Sequence, residues 1–126
     1  MTTFTAGTQV VKYSHTIGYR GVVGLSFFQP VALARAKSDL VYVVNRGYEF
    51  APLYKRITVV TSNEDFVTQF GSGGKGDGQM VWPTSLALDS DENVYVSDED
   101  LQRISIFSKD GEFLSKWGEA GDGDGQ

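Results

Sequence analysis

The first candidate for a chemical role is a glycine-rich run that could bind phosphate groups. Residues 71–76, Gly-Ser-Gly-Gly-Lys-Gly, have the G-x-G-x-x-G spacing that places a pyrophosphate at the start of a helix in dinucleotide-binding proteins. Here Trp82 and Pro83 follow and lead into a stretch rich in β-forming residues, so the required helix is missing. The run also lacks the lysine followed by serine or threonine of a phosphate-binding loop. We therefore interpret it as a turn-forming connection.

Residues 89–93, Asp-Ser-Asp-Glu-Asn, have the spacing that opens a helix-loop-helix calcium site. Val94 stands where that loop requires glycine, and Asp100 stands where it requires the longer glutamate, so a turn between strands is predicted instead. His15 is the single histidine and the chain contains 0 cysteines. This sequence therefore cannot supply a set of histidine or cysteine ligands. It predicts no catalytic residue, metal ligand or cofactor.

The candidates that remain are suited to binding. Residues 46–55 combine three aromatic side chains with an arginine and a lysine, which are types enriched at binding hot spots, and residues 98–100 form a short acidic stretch. The predicted ligand-binding residues are Arg46, Tyr48, Phe50, Tyr54, Asp98 and Asp100. Two alternatives stay open for the aromatic stretch: it packs against a neighbouring structural unit, or it is available to a partner.

Charge and hydropathy narrow the class of partner. The net charge is -5, and it divides into +3 for residues 1–88 (8 basic, 5 acidic) and -8 for residues 89–126 (3 basic, 11 acidic). An acidic chain gains nothing from counterion release, so no nucleic acid is expected. Neither a signal peptide nor a long apolar segment is evident, so we expect no membrane contact and, by default, a cytoplasmic location.

An internal repeat positions these residues. A shift of 47 aligns residues 56–60 with 103–107, 66–71 with 113–118, and 76–79 with 123–126, while a shift of 53 aligns residues 41–43 with 94–96. The difference between the two shifts is a six-residue insertion within residues 46–55 of the first copy. The repeat therefore predicts two complete copies and the start of a third.

Each copy is predicted to form four short antiparallel strands without helix. In the second copy these strands cover residues 84–88, 93–97, 103–108 and 112–117, separated by acidic and glycine-containing turns. The apolar positions predict a core. Residues expected to be buried are Leu33, Val41, Val43, Ile57, Val59, Phe70, Leu86, Val94, Val96, Ile104, Ile106 and Trp117.

The second copy resembles an NHL repeat. The resemblance is carried by Phe70-Gly71, Gly74, Gly76-Asp77-Gly78-Gln79, Pro83, Leu86-Ala87-Leu88-Asp89, Asn93-Val94-Tyr95-Val96-Ser97-Asp98, Arg103-Ile104, Phe107, Asp110-Gly111, Phe113 and Trp117-Gly118. It implies an all-β fold, a β-propeller that usually has six four-stranded blades. The first copy departs from the pattern in its insertion and in residues 24–26, which replace 77–79.

Six repeats of about 47 residues need roughly 280, so 126 residues are expected to be one partial propeller. Its predicted parts are residues 8–17 (outer strand of a neighbouring blade), 18–71 (first repeat), 72–118 (second repeat) and 119–126 (start of a third). We expect a fragment of a longer protein whose remaining blades close the ring. Self-assembly of several chains into a ring is the alternative.

The resemblance implies a non-catalytic scaffold that binds a protein or another ligand through one loop face. The alternative is a fragment of a propeller enzyme, similar to peptidyl-hydroxyglycine amidating lyases or lactonases, whose metal and catalytic residues lie mostly in missing blades. Strand parity predicts the binding face, because alternate connections emerge at the same end of an antiparallel sheet. Residues 46–55, 71–79, 98–102 and 118–126 are expected to share that face.

Overall fold

The structure, a computed structural model, describes residues 3–126, with residues 4–6 described by their backbone alone. The strands, in chain order, are β1 (Thr3–Ala6), β2 (Gln9–Lys12), β3 (Tyr19–Arg20), β4 (Ser26–Phe27), β5 (Pro30–Arg35), β6 (Leu40–Asn45), β7 (Arg56–Thr61), β8 (Phe66–Phe70), β9 (Ser72–Gly73), β10 (Gln79–Met80), β11 (Pro83–Leu88), β12 (Val94–Asp98), β13 (Arg103–Phe107) and β14 (Phe113–Trp117). One turn of 3-10 helix, Pro52–Tyr54, lies between β6 and β7. The predicted all-β class is confirmed.

Two four-stranded antiparallel sheets form the body of the molecule. The first contains β5 to β8 and the second β11 to β14, and in both the strands are neighbours in chain order. The sheets also share irregularities, because the register shifts after Pro30 in the first and after Pro83 in the second. The repeat found by self-comparison is therefore a repeat of structure, and the four strands predicted in the second copy lie within one residue of their observed bounds.

A short pair of parallel strands precedes each four-stranded sheet in the sequence. Strands β3 and β4 pair ahead of the first sheet, and β9 and β10 pair ahead of the second. In the second connection the Gln79 side-chain oxygen accepts a hydrogen bond from the Gly76 amide at 2.8 Å. The Gln126 oxygen accepts the same bond from the Gly123 amide at 2.9 Å. The glycine-rich loop at residues 119–126 thus repeats the conformation that leads into the second sheet.

The core lies between the two sheets. We call the surface of the first sheet that carries Tyr42, Ile57 and Val59 its leading face, and the opposite surface its trailing face. The leading face of the first sheet packs against the trailing face of the second, which carries Val94 and Val96. The other core members are Ala36, Val44, Met80, Leu86 and Phe107. Alternation along each strand produces this packing, because successive side chains point to opposite faces.

Among residues 3–126 no further four-stranded sheet covers the two outward faces, although Val43 and Val60 on the trailing face of the first sheet are buried. The leading face of the second sheet carries Ile104 and Ile106, which are partly buried, and Trp117, which is 59% exposed. The trailing face of the first sheet carries Leu33, which is 68% exposed. The prediction that Trp117 and Leu33 are buried is therefore wrong for this chain, because no further sheet covers either surface. Val41, Phe70, Ile104 and Ile106 are intermediate, and the other six predicted core residues are buried.

The N-terminal residues form a hairpin of their own. Strand β1 pairs with β2, so residues 9–12 do not join either large sheet, and the assignment of residues 8–17 to a neighbouring blade stays a prediction. His15 is exposed, and its Nε2 lies 3.0 Å from the Ser62 carbonyl oxygen. Within residues 3–126 no helix has the length and apolar character needed to cross a membrane.

Candidate binding site

Asp98 and Asn45 align between the two copies and have the same structural role. Asp98, at the end of β12, is 3% exposed, and its carboxylate accepts hydrogen bonds from the amides of Val81 (2.7 Å), Trp82 (3.1 Å) and Leu101 (3.1 Å). Asn45 occupies the same place in the first sheet, where its oxygen accepts from the Phe28 amide at 2.8 Å. Asp98 therefore lies below the loop face and fixes the chain entering β11.

A second recurring pair fixes the glycine-rich connections. The Arg103 guanidinium donates to the carbonyl oxygens of Lys75 (3.0 Å), Gly76 (2.7 Å) and Gln79 (3.1 Å). Arg56, its counterpart, donates to the carbonyl oxygens of Gly21 and Ser26. The signal in the sequence for these roles, which the predictions did not include, is the alignment of the two arginines at a shift of 47.

The stretch resembling a calcium loop is a hydrogen-bonded turn. The Asp89 carboxylate accepts from the amides of Asp91 (2.9 Å) and Asn93 (2.8 Å) and from the Asn93 side chain (2.9 Å). These bonds, led by the one from the Asn93 side chain, hold the pKa of Asp89 below its usual value. The carboxylate therefore stabilises the turn between the strands, and this turn is the one that the sequence predicted.

The insertion at residues 46–55 divides into a packed base and an exposed tip. Tyr48 and Tyr54 pack against the Phe28 ring, with centroids 5.0 and 4.2 Å apart, and the Arg20 guanidinium lies 4.8 Å from the same ring. Arg20 also donates a hydrogen bond to the Tyr48 hydroxyl at 3.2 Å. These tyrosines therefore fold back onto their own copy and not onto a neighbouring unit, and the availability of the aromatic stretch to a partner stays a prediction.

The tip of the insertion faces solvent. Phe50 is 89% exposed and Leu53 is 81% exposed, whereas the Phe28 ring beneath the base is 7% exposed. An exposed phenylalanine costs hydration free energy in the absence of a partner, since apolar surface is stabilised by removal from water. Phe50 is therefore the aromatic residue of the insertion that is most open to contact from outside.

Two cations join the insertion to the second copy. The Arg46 guanidinium lies 4.7 Å and the Lys55 ammonium 5.6 Å from the centre of the Trp82 ring. The Arg46 Nε donates to the Pro83 carbonyl oxygen, and Lys55 donates to the Arg46 carbonyl oxygen, each at 3.0 Å. Arg46 thus bridges the copies, and its side chain already has partners within the chain.

Lys55 is a buried amine whose ammonium group has no carboxylate in direct contact, although the carboxylates of Asp98 and Glu49 act on it from a greater distance. The residue is 3% exposed, and among residues 3–126 no carboxylate oxygen lies within ion-pair distance of its ammonium group. Burial lowers the pKa of Lys55, since desolvation disfavours the charged form. In the second copy the equivalent position is Gln102, which is exposed. Sequence analysis did not single out Lys55, because its burial depends on the insertion folding over Trp82.

A groove runs between the insertion and the second copy. We call its two adjoining parts the inner and the outer cavity. The inner cavity has a volume of about 280 Å³ and is lined by Glu49, Phe50, Pro52, Lys55, Gly73, Gly74, Lys75, Met80 and Val81. The outer cavity, of about 350 Å³, is lined by Glu49, Val81, Trp82, Glu99 and Asp100. The residues from 46–55, 71–79 and 98–102 thus lie together at one end of the sheets.

The six residues assigned to binding from sequence occupy four different settings. Phe50 and Asp100 line the groove, Arg46 lies against Trp82 at its base, and Asp98 is buried beneath it. Tyr48 and Tyr54 pack instead on Phe28. Among residues 3–126 no group of three or more histidine or acidic side chains is arranged to hold a metal ion.

Comparison with known proteins bears on the fold alone. No protein-family model matches the chain, and no curated protein matches it. Among solved structures, it is similar to a protein assigned as exported, from Bacteroides fragilis NCTC 9343, with a TM-score of 0.62 and 16% identity. The similarity covers 82% of this chain and 28% of the other, so the chain spans well under half the length of that neighbour.

Proposed function

We propose that the chain is part of an NHL-type β-propeller and serves as a non-catalytic platform that binds a ligand through its loop face. The observation that carries the binding proposal is the groove between the insertion and the second copy. It is concave, its inner cavity is mostly apolar as in many ligand sites, and its outer cavity carries the carboxylates of Glu49, Glu99 and Asp100.

The way the sheets stack supports the propeller. Each sheet presents the same two surfaces, and the leading face of the first packs on the trailing face of the second. The uncovered faces at the two ends are the matching surfaces of that same contact, with Ile104, Ile106 and Trp117 standing where Ile57, Val59 and Phe70 stand in the first sheet. A further four-stranded unit of this kind on either side would bury them.

The insertion supports binding at this end of the sheets. Packing explains the two tyrosines at its base, yet it leaves the Phe50 ring exposed beside the inner cavity. The glycines at 73 and 74 lie on the wall formed by the second copy, where the space of a side chain is taken by Pro52 beside Gly73 and by the Gln79 side chain beside Gly74. The groove therefore has one aromatic wall from the insertion and one wall from the second copy.

The experiment is a fragment screen by NMR on the isotopically labelled chain. We expect fragments that bind to shift the amide signals of Gly73, Gly74 and Val81. Phe50→Ala should lower the affinity of these fragments at least several-fold. Leu53→Ala is the matched control, because Leu53 is equally exposed on the same insertion but does not line the groove. Hits that map elsewhere, or equal effects of the two variants, would contradict the proposal.

A further inference from the structure

We infer that the inner cavity takes a small apolar monocarboxylate whose carboxylate group is received by Lys55. The inference rests on the proposed function, since it names the ligand chemistry of the same groove. It arises from a combination that the repeat itself does not require: a buried ammonium group with no carboxylate in direct contact, in the wall of a largely apolar cavity.

The first argument is the unused hydrogen-bonding capacity of Lys55. An ammonium group has three donors, and the Arg46 carbonyl oxygen accepts one of them at 3.0 Å. Contact with the Trp82 ring provides further electrostatic stabilisation but accepts no conventional hydrogen bond. A ligand carboxylate would supply the missing acceptors and a negative charge in direct contact, forming hydrogen bonds between two charged groups, which are among the stronger ones.

The second argument is the lining of the inner cavity. Four of its residues are apolar, namely Phe50, Pro52, Met80 and Val81. Their surfaces favour an apolar body attached to the acid, because burial of such a body removes hydrophobic surface from water on both sides. The volume of about 280 Å³ lies at the lower limit of ordinary ligand sites, so the ligand is small.

The third argument is the distribution of the remaining charges. Lys75, which is exposed, adds a second cation to the inner cavity, while Glu49 lies where the two cavities meet. The outer cavity adds the carboxylates of Glu99 and Asp100. A second acidic group on the ligand would meet these carboxylates, and like charges repel. The groove therefore selects for a single carboxylate located at the inner end.

Comparison of the two copies indicates that the repeat does not need this amine. Lys55 corresponds to Gln102, an exposed residue, while the arginines and the Asn45 and Asp98 pair keep their roles in both copies. Burying an ammonium group that has no carboxylate in direct contact costs stability. A ligand would account for such a group at a position where the second copy has an exposed glutamine.

The test uses two matched probes on the full chain, N-acetylphenylalanine and N-acetylphenylalanine amide, titrated by NMR. They differ only in the carboxylate. We expect the acid to bind the wild-type chain at least about tenfold more tightly than the amide, as one hydrogen bond between charged groups provides. Lys55→Met should remove that preference, since methionine keeps an apolar stem of similar length without charge. Lys109→Met, an exposed lysine outside the groove, is the control and should keep it.

Equal affinity of acid and amide for the wild-type chain would overturn the inference, and this comparison needs no variant to fold. If both probes still shifted the amides of Gly73 and Gly74 and lost affinity in Phe50→Ala, the proposed function would stand without its carboxylate preference. A preference for the acid that survived in Lys55→Met would also overturn the inference, because another group would then receive the carboxylate.

Discussion

Replacing Asp98 by asparagine measures how strongly one buried carboxylate holds the second copy together. Both of its oxygens act as acceptors: Oδ2 accepts from the Val81 and Trp82 amides, and Oδ1 from the Trp82 and Leu101 amides. Asparagine keeps one oxygen. If that oxygen stays with Val81 and Trp82, the new NH2 group meets the Leu101 amide, and two donors then face each other.

The expected loss of stability follows from that count. A hydrogen bond to a charged group contributes about 1.5 to 3 kcal/mol, and the orphaned Leu101 amide is left without its partner. We therefore expect Asp98→Asn to lower the free energy of unfolding by about 2 to 3 kcal/mol, which corresponds to a fall in Tm of about 10 °C for a chain of this size. Asn45 has no such penalty, because its NH2 group donates to Thr58 and to two carbonyl oxygens.

The assay is urea denaturation followed by tryptophan fluorescence, with Asp100→Asn as the control. Asp100 is exposed two residues further along the same loop, so its replacement should change the unfolding free energy by less than about 0.5 kcal/mol. If Asp98→Asn were as stable as this control, the carboxylate would not fix the chain entering β11, and the structural role assigned to Asp98 would be wrong.

Three other outcomes are expected. Trp117→Lys, on the uncovered face of the second sheet, should reduce self-association of the purified chain in sedimentation velocity; unchanged association would show that this face is not used. Arg103→Met should increase hydrogen exchange at Gly76 by tenfold or more, whereas Lys109→Met should not. Burial lowers the pKa of Lys55, so between that lowered value and the ordinary value of 10.5 the unfolded state binds more protons at Lys55 than the folded state. The free energy of unfolding should therefore rise with pH in this window until the tyrosines begin to titrate. Lys55→Met should flatten that rise.

Most of the sheet structure could be predicted from the sequence, because a strand side chain alternates between faces and because the repeat supplies each strand twice. The turns at residues 89–93 and 109–111 could be predicted for the same reason, since aspartate and glycine fix their geometry locally. Local rules suffice where the interaction partners lie within a few residues of each other.

Burial against partners distant in sequence could not be predicted in this way. Leu33 and Trp117 have the apolar character of core residues, but their exposure depends on whether another sheet covers them. Lys55 is the opposite case, a charged residue that becomes buried because the insertion folds over Trp82, 27 positions away along the chain. The groove also depends on the contact between the insertion and the second copy. The sequence therefore indicated the aromatic residues of the groove but not the burial of Lys55.

The glycine-rich connections have a consequence for the order in which the molecule folds. The loop at residues 119–126 takes the shape of the loop at residues 72–79 through the Gln126 side chain, although no arginine of the described chain clamps it. Its bend is thus held by contacts within residues 119–126. Contacts between close neighbours in sequence carry little loop-closure entropy, so we expect residues 72–79 to take the same bend during folding before Arg103, in a later strand, contacts them.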